Sequence, residues 1–259
     1  MTASRFRDLH HGDSLLVLPN AWDAGSAVAI QHAGAPAVAT TSAGVAWACG
    51  WPDGDKLPAS ELLGSVTRMA RVLTVPLSAD IEEGCASDPD EVGRFVASLV
   101  EAGVAGINIE DAGRDAAELS AKIRAIRAAL RGRDLYINAR TDIYLRGLAS
   151  GDEAVADVVR RASLFREAGA DGMFVPGIAK VDEIRRVAAS LDGMPLNVML
   201  VPGLPSHAEL YAAGARRLSA GIALALDAYA TTARGAADFM GTPHPESLSY
   251  PLLNRLLAR

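Results

Sequence analysis

The sequence predicts a (β/α)8 barrel, on three observations. Short apolar segments alternate with longer amphipathic ones along the whole 259-residue chain, the order that builds a parallel sheet wrapped by helices. The apolar segments are nearly continuous rather than alternating, the mark of strands buried on both faces. A loose repeat also recurs in "QHAGAPAVAT" (31–40), "EAGVAGINIE" (101–110), "EAGADGMFVP" (167–176) and "AAGARRLSAG" (212–221). Each copy sets small residues and a Gly where a helix would stop, and then a short apolar run. Gly suits that stop because it tolerates positive φ. No Ser/Gly linker or low-complexity tract interrupts the chain, so one barrel domain over 1–259 is expected. A doubly wound open sheet is the competitor, but no GxGxxG follows the first strand, which counts against it.

Taken in order, a strand is expected at 15–19, followed by "PNAWDAGS" and a helix at 22–33. A strand at 36–41 runs into "TTSAG", with a helix at 58–72. A strand at 75–80 ends in "SADIEEG", and the helix at 88–102 carries a full set of signals. Asp88 can cap its first turn, Pro89 fits the first helical position, and Glu91 stands at the capping-box spacing. Val92, Phe95, Val96, Leu99 and Val100 form one apolar stripe, and Gly103 ends it. The remaining pairs are strand 105–109 with helix 116–131, 134–139 with 152–168, 172–175 with 180–190, 195–199 with 206–213, and 216–219 with 222–239. The tail at 246–258, containing "ESLSYPLLNRLL", reads as one more short helix that serves packing or assembly.

Half of the residues are hydrophobic and 22% are charged, with a formal net charge of -6, so a large core is expected. The acidic balance and the lack of a basic cluster speak against nucleic acid and an anionic membrane as partners. The two cysteines, Cys49 and Cys85, have no CxxC spacing, which excludes a disulfide framework or zinc knuckle and fits a reducing cytosol. The first residues lack the apolar core of a signal peptide, and no run is long enough for a membrane helix. A cytoplasmic protein is expected.

In a barrel of this type the active site lies at the C-terminal ends of the strands. The third strand ends on Asp80, Glu82 and Glu83, the fourth on Glu110 and Asp111, and the fifth on Asn138, Arg140, Thr141 and Asp142. The seventh carries Asn197. Several carboxylates aimed into one cavity repel each other and lose hydration, and a hard divalent cation relieves both costs. Arg140 would then clamp a substrate carboxylate or phosphonate. Plain structural readings stand beside these: a solvated turn for the acids, a salt bridge for Arg140, a turn for Gly44, and core packing for Trp22. Cys49 reads as inert, and His207 as a helix-start surface residue.

The ordered set "LPNAWDAGSA", "TTSAG", "GWPDGD", "SADIEEG", "INIEDA" and "INARTD" resembles the isocitrate lyase/phosphoenolpyruvate mutase superfamily, and most of all its small phosphonomutase-like members. The resemblance runs from about residue 15 to about 240. It implies a (β/α)8 barrel, Mg²⁺ with Mn²⁺ as the alternative ion, and a small 2-oxo acid or phosphonate substrate. It implies Asp80, Glu82 and Glu110 as metal ligands, with Glu82 standing where the superfamily usually has Asp. Asp53 would hold metal-bound water. Ser42, Ala43 and Gly44 would bind the substrate carboxylate, with Trp22 beside them, Arg140 would bind substrate, and Asn197 would add a polar contact. A C-terminal helix exchanged between subunits of a homodimer or homotetramer is also implied.

One departure matters. The lyases of the superfamily carry K-K-C-G-H in a loop after the fourth strand. Here the stretch reads "EDAGRDAAELSAKIRAI", without Cys or His, so a Cys-dependent isocitrate or methylisocitrate lyase is not expected. The expected chemistry is a Mg²⁺-dependent reaction through an enolate, either decarboxylation or C–C or P–C bond cleavage. Phosphonopyruvate hydrolysis or rearrangement, and a 2-oxo acid binding protein that has lost catalysis, are the alternatives.

Overall fold

Pro19 has no N–H to give to a sheet ladder, and it divides the first strand in two. The computed structural model describes residues 2–258. Along the chain, α1 (Ala3–Leu9) precedes the half-strands β1 (Leu16–Leu18) and β2 (Asn20–Ala21). There follow α2 (Ala24–His32), β3 (Val38–Thr40), α3 (Ser42–Ala48), α4 (Ala59–Val72), β4 (Leu77–Asp80), α5 (Pro89–Glu101) and β5 (Gly106–Glu110). Next are α6 (Ala116–Leu130), β6 (Tyr136–Arg140), α7 (Gly151–Ala168), β7 (Gly172–Phe174), α8 (Val181–Ala189) and β8 (Leu196–Met199). The chain ends with α9 (His207–Ala212), β9 (Ala215–Ser219), α10 (Ala223–Met240) and α11 (Tyr250–Leu257).

All strand pairs are parallel, in the order β1-β9-β8-β7-β6-β5-β4-β3-β2. β1 pairs with β9 and β2 pairs with β3, so the two halves of one strand close the sheet into a (β/α)8 barrel. Each expected strand and helix of the barrel has its counterpart, with ends moved by a residue or two, and the tail helix expected at 246–258 begins four residues later, as α11. The helix at 88–102 is α5, where the Asp88 side chain accepts from the Asp90 N–H and Pro89 opens the helix. The reciprocal Glu91 bond of a capping box is not among the bonds of the described residues, so Asp88 acts alone.

Two helices were not expected, α1 and α3. The five residues Ala43–Trp47 of α3 are all buried, so the segment has no polar face and reads in sequence like an extension of the strand before it. α1 is too short to show a stripe and buries only Ala3 and Phe6. It closes the N-terminal end of the barrel: Phe6 is fully buried, edge-on to Tyr136 with ring centroids 5.5 Å apart, and His10 stacks on Tyr136 at 4.1 Å. With Leu16, Leu18, Ala37, Ala39 and Ala105 these side chains fill the lower barrel. The larger core lies between strands and helices, where Ile107 and Ile109 of β5 and Ile137 and Ala139 of β6 point outward. The period of two therefore turns Asn108 and Glu110, and Asn138 and Arg140, inward.

The tail folds back over the C-terminal end of the barrel. Asn254 of α11 accepts from the indole N–H of Trp47 at 2.7 Å and from the backbone N–H of Asp53 at 3.0 Å. α10 buries only Ala225 and Ala237. No helix among the described residues is long and apolar enough to cross a membrane.

Candidate active site

With α1 blocking one end, the open end of the barrel is the C-terminal one, and a cavity of about 590 Å³ lies there. Ser42, Asp53, Asp80, Glu82, Glu110 and Arg140 line it, so six of the residues named from sequence come together. Trp22, Ala43, Gly44 and Asn197 are not among the lining residues. Trp22 packs on the core. Gly44 lies inside α3 rather than in a turn, and a Cβ there would stand 2.7 Å from Thr41 Cγ2 and 2.8 Å from Trp22 Cβ. Those two residues thus seat the start of α3. Asn197 is buried below the cavity, where its Oδ1 accepts from Ser219 Oγ at 3.2 Å.

Asp80 is the last residue of β4. Its Oδ1 accepts the Glu82 N–H at 3.2 Å, an Asx-type turn that ends the strand. Glu82 itself has φ 50, a left-handed conformation that costs a non-glycine residue energy and clusters at functional sites. Its carboxylate accepts the Asp55 N–H at 2.5 Å, which ties the 53–55 segment to the β4 end. Glu83 turns away and pairs with Arg114.

Glu110 ends β5 beside Arg140 at the end of β6, and their ion pair measures 2.7 Å. Arg140 also donates Nε to Asp142 Oδ1 at 2.7 Å and Nη2 to Asp142 Oδ2 at 3.2 Å. The expected substrate clamp therefore enters with carboxylates of its own chain already bound. Asp111 serves the frame: it accepts from Arg161, Gly113 N–H and Asp142 N–H, and so joins β5, β6 and α7.

Burial raises the pKa of Asp80, with only partial relief from Arg140. Burial, with Asp53 and Asp80 nearby, pushes Glu82 up to about 8. Glu110 is also raised by burial, against the pull of Arg140 and with help from Asp142, Asp80 and Glu82. Each of these carboxylates lacks enough positive charge around it.

Asp53 accepts from Tyr250 OH at 2.8 Å through Oδ2, while its Oδ1 is buried without a partner. The donor set is thus hard oxygen throughout, with one acceptor left over, and it suits a hard divalent cation. Among the described residues, no group of three or more His, Cys, Asp or Glu side chains stands close enough together to hold a metal ion by itself. Mg²⁺ keeps several waters and uses few carboxylates, so the set still fits that ion. The thiols stand outside the cavity lining. Cys49 Sγ lies 3.3 Å from Ser65 Oγ, and burial pushes the Cys85 thiol up to about 12. His207 opens α9 and is exposed.

Sequence reasoning missed Asn20, Asn108, Arg146, Ser219 and Tyr250, all of which line the cavity. Asn108 was within reach, since it stands two residues before Glu110 and shares its face. Its Oδ1 accepts from Asn138 Nδ2 at 2.9 Å, which turns its own Nδ2 toward Asp80. Tyr250 arrives from the tail, and no local pattern announces that return. The wall toward β7–β9 and α10 is mainly apolar, with Phe174, Met199, Leu200, Ile222 and Leu226.

The model of the family described as Phosphoenolpyruvate phosphomutase matches residues 6–240. An uncharacterized protein of Mycobacterium tuberculosis is 37% identical over 97% of this chain and 95% of its own. The 2,3-dimethylmalate lyase of Eubacterium barkeri is 30% identical over 82% of this chain and 77% of its own. A solved structure from Burkholderia cenocepacia J2315, provisionally assigned as a phosphonomutase, superposes with a TM-score of 0.86 at 37% identity. It covers 91% of this chain and 98% of that one.

Proposed function

From the premise that this chain belongs to the phosphoenolpyruvate phosphomutase family, within the isocitrate lyase/PEP mutase superfamily, we propose that it is a Mg²⁺-dependent enzyme acting on a small 2-oxo acid or phosphonate. It breaks a C–C or P–C bond through an enolate. The observation that supports this most is the convergence of Asp53, Asp80, Glu82, Glu110 and Arg140 on one cavity at the C-terminal ends of the strands.

Asp80, Glu82 and Glu110 would hold the ion, and Asp53 Oδ1 has the free lone pairs to orient a water beside it. When bound, Mg²⁺ supplies Lewis-acid polarisation of the 2-oxo group. The chain's own residues do the rest. The first N–H groups of α3 have no intrahelical partners, and Thr41 makes no side-chain cap bond. Ser42 and the amides after it are therefore open to a carboxylate. Arg140 is the buried cation of the cavity. Its N–H groups not spent on Glu110 and Asp142 face anionic oxygen as charge builds there. Gly44 and Trp22 act from behind by holding α3 in place.

The turn after β5 spans residues 111–115 and enters α6 at once. With no thiol at the cavity, decarboxylation asks least of the protein, because CO₂ leaves and the late proton can come from water. Assembly belongs to the same proposal: Leu224, Phe239 and Met240 of α10 are exposed, as a helix exchanged with a second copy would leave them in a lone chain.

The test is turnover with Mg²⁺ on a panel of oxaloacetate, phosphonopyruvate and 2-hydroxy tricarboxylates, read by product release. Activity abolished by EDTA and by Arg140→Ala supports the enzyme. Tight 2-oxo acid binding without turnover makes it a binding protein. If neither Mg²⁺ nor any of these ligands stabilises the fold thermally, both readings fail.

A further inference from the structure

Among the residues that line the cavity only two are basic, Arg140 and Arg146, and they are held differently. Arg140 is bound to Glu110 and Asp142 and nearly buried, its side chain 14% exposed. Arg146 stands on the turn after β6, its side chain 51% exposed at the mouth. That turn is well built. The Arg146 N–H donates to Asp142 O at 2.9 Å, Gly147 N–H to Tyr144 O at 3.1 Å, and Leu148 N–H to Ile143 O at 2.9 Å.

The Arg146 side chain is placed as well. Its Nε donates to Asp142 Oδ2 at 3.2 Å, and Asp142 is fixed in turn by its N–H to Asp111 and by Arg140. Its stem lies over Gly113, where φ is 77 and a Cβ would come within 3.2 Å of Arg146 Cδ and 2.7 Å of Leu148 Cδ1. Glycine at 113 thus leaves room for the arginine. Nη1 and Nη2 have no protein acceptor among the described residues.

We propose that Arg146 is a specificity residue: it receives the second anionic group of the substrate, so that the site prefers dianionic 2-oxo acids to monoanionic ones. The inference rests on the reading of the cavity as a 2-oxo acid site. It follows from what else lines the wall. On that reading the 2-oxo acid end of the ligand lies against the cavity acids and Ser42. A second anionic group then meets the carboxylates, the apolar wall of Phe174, Met199 and Leu200, or Arg146. Arg140 has spent its Nε and Nη2 on Asp142 and its Nη1 on Glu110, whereas Arg146 keeps both Nη1 and Nη2 for the planar fork that suits carboxylate, sulfonate or phosphonate oxygens. The pinned Nε also lowers the entropy lost when the fork closes on an anion.

The experiment compares two ligands that differ only at the distal end, pyruvate and 3-sulfopyruvate, by calorimetric titration in Mg²⁺. Wild type should bind 3-sulfopyruvate the more tightly. Arg146→Met should raise its Kd at least about tenfold and leave that of pyruvate within about twofold, with Arg146→Lys in between. Equal binding of the two ligands by wild type, or a ratio of the two Kd values unchanged in Arg146→Met, overturns the assignment of Arg146 alone. If wild type binds neither ligand, the 2-oxo acid reading of the cavity falls, and the role of Arg146 with it.

Discussion

In the lower barrel Arg217 is fully buried and no carboxylate among the described residues pairs with it; at the mouth, Glu110, Asp142 and Asp80 crowd around Arg140, with Glu82 in the same cavity. The lower site meets the guanidinium with neutral groups, although Arg217 Nη1, His10 Nε2 and Tyr136 OH are buried there without a partner. Arg217 donates to Ser219 Oγ at 3.1 Å and Asn108 Oδ1 at 3.3 Å, and lies 5.9 Å from the Phe6 ring centroid. Burial lowers its pKa only to about 10, so its charge is kept. Phe6, His10 and Tyr136 pack beneath it and are themselves buried. The mouth has the opposite character: its acids outnumber its bases, and the cavity is open. One cation among neutral acceptors and aromatic rings is architecture. An excess of desolvated carboxylates facing an opening calls for something from solution. Asn108 joins the two regions, since its Oδ1 answers Arg217 and its Nδ2 faces Asp80.

The comparison can be broken at either end. The largest effect is expected at the mouth. Asp80→Ala should abolish Mg²⁺-dependent turnover while the melting temperature holds or rises, because a desolvated carboxylate is removed. Kept activity would take Asp80 out of the metal site, and loss of fold would make it architecture after all. In the lower barrel, Phe6→Ala should cost about 3–5 kcal/mol in urea unfolding. Ligand affinity of the folded protein should stay within about twofold. A matching loss of affinity would mean that the two ends are not separate.

A smaller effect concerns pH. Burial and Arg217 hold the His10 pKa down to about 3. A group whose folded pKa lies below its unfolded value adds stability above the unfolded value, near 6.5 for His, and loses it as pH falls toward the folded one. Stability should thus decline below about pH 6.5 by at most about 1.4 kcal/mol per unit, and His10→Gln should flatten that slope. An unchanged slope would show that His10 does not sense pH. The smallest effect is expected for Cys49→Ser and Cys85→Ser, with turnover within about twofold of wild type. A large loss at Cys85 would bring a thiol into the chemistry.

The barrel was legible because its signals are local. Glycines at helix ends, the stripe from Val92 to Val100, and short apolar runs need no tertiary knowledge. Strand ends were equally plain, so Asp80, Glu110 and Arg140 came together as their positions implied. What escaped is what depends on contacts distant in sequence. Tyr250 and Asn254 reach Asp53 from the tail, and nothing in "SYPLLNRLL" marks that return. α3 escaped because its run from Ala43 to Trp47 is buried throughout and shows no polar face. The share of Arg140 taken up by Asp142 could not be read from "NARTD", since it depends on rotamers and not on spacing.

The account rests on a cation held by the acids of the mouth, and the direct measurement is anomalous diffraction from crystals soaked in Mn²⁺ and oxalate. The account predicts one strong peak inside the cavity, within bonding distance of oxygen atoms from Asp80, Glu82 or Glu110 or of their waters. No peak there, or a peak elsewhere with the cavity acids unmoved, would contradict it.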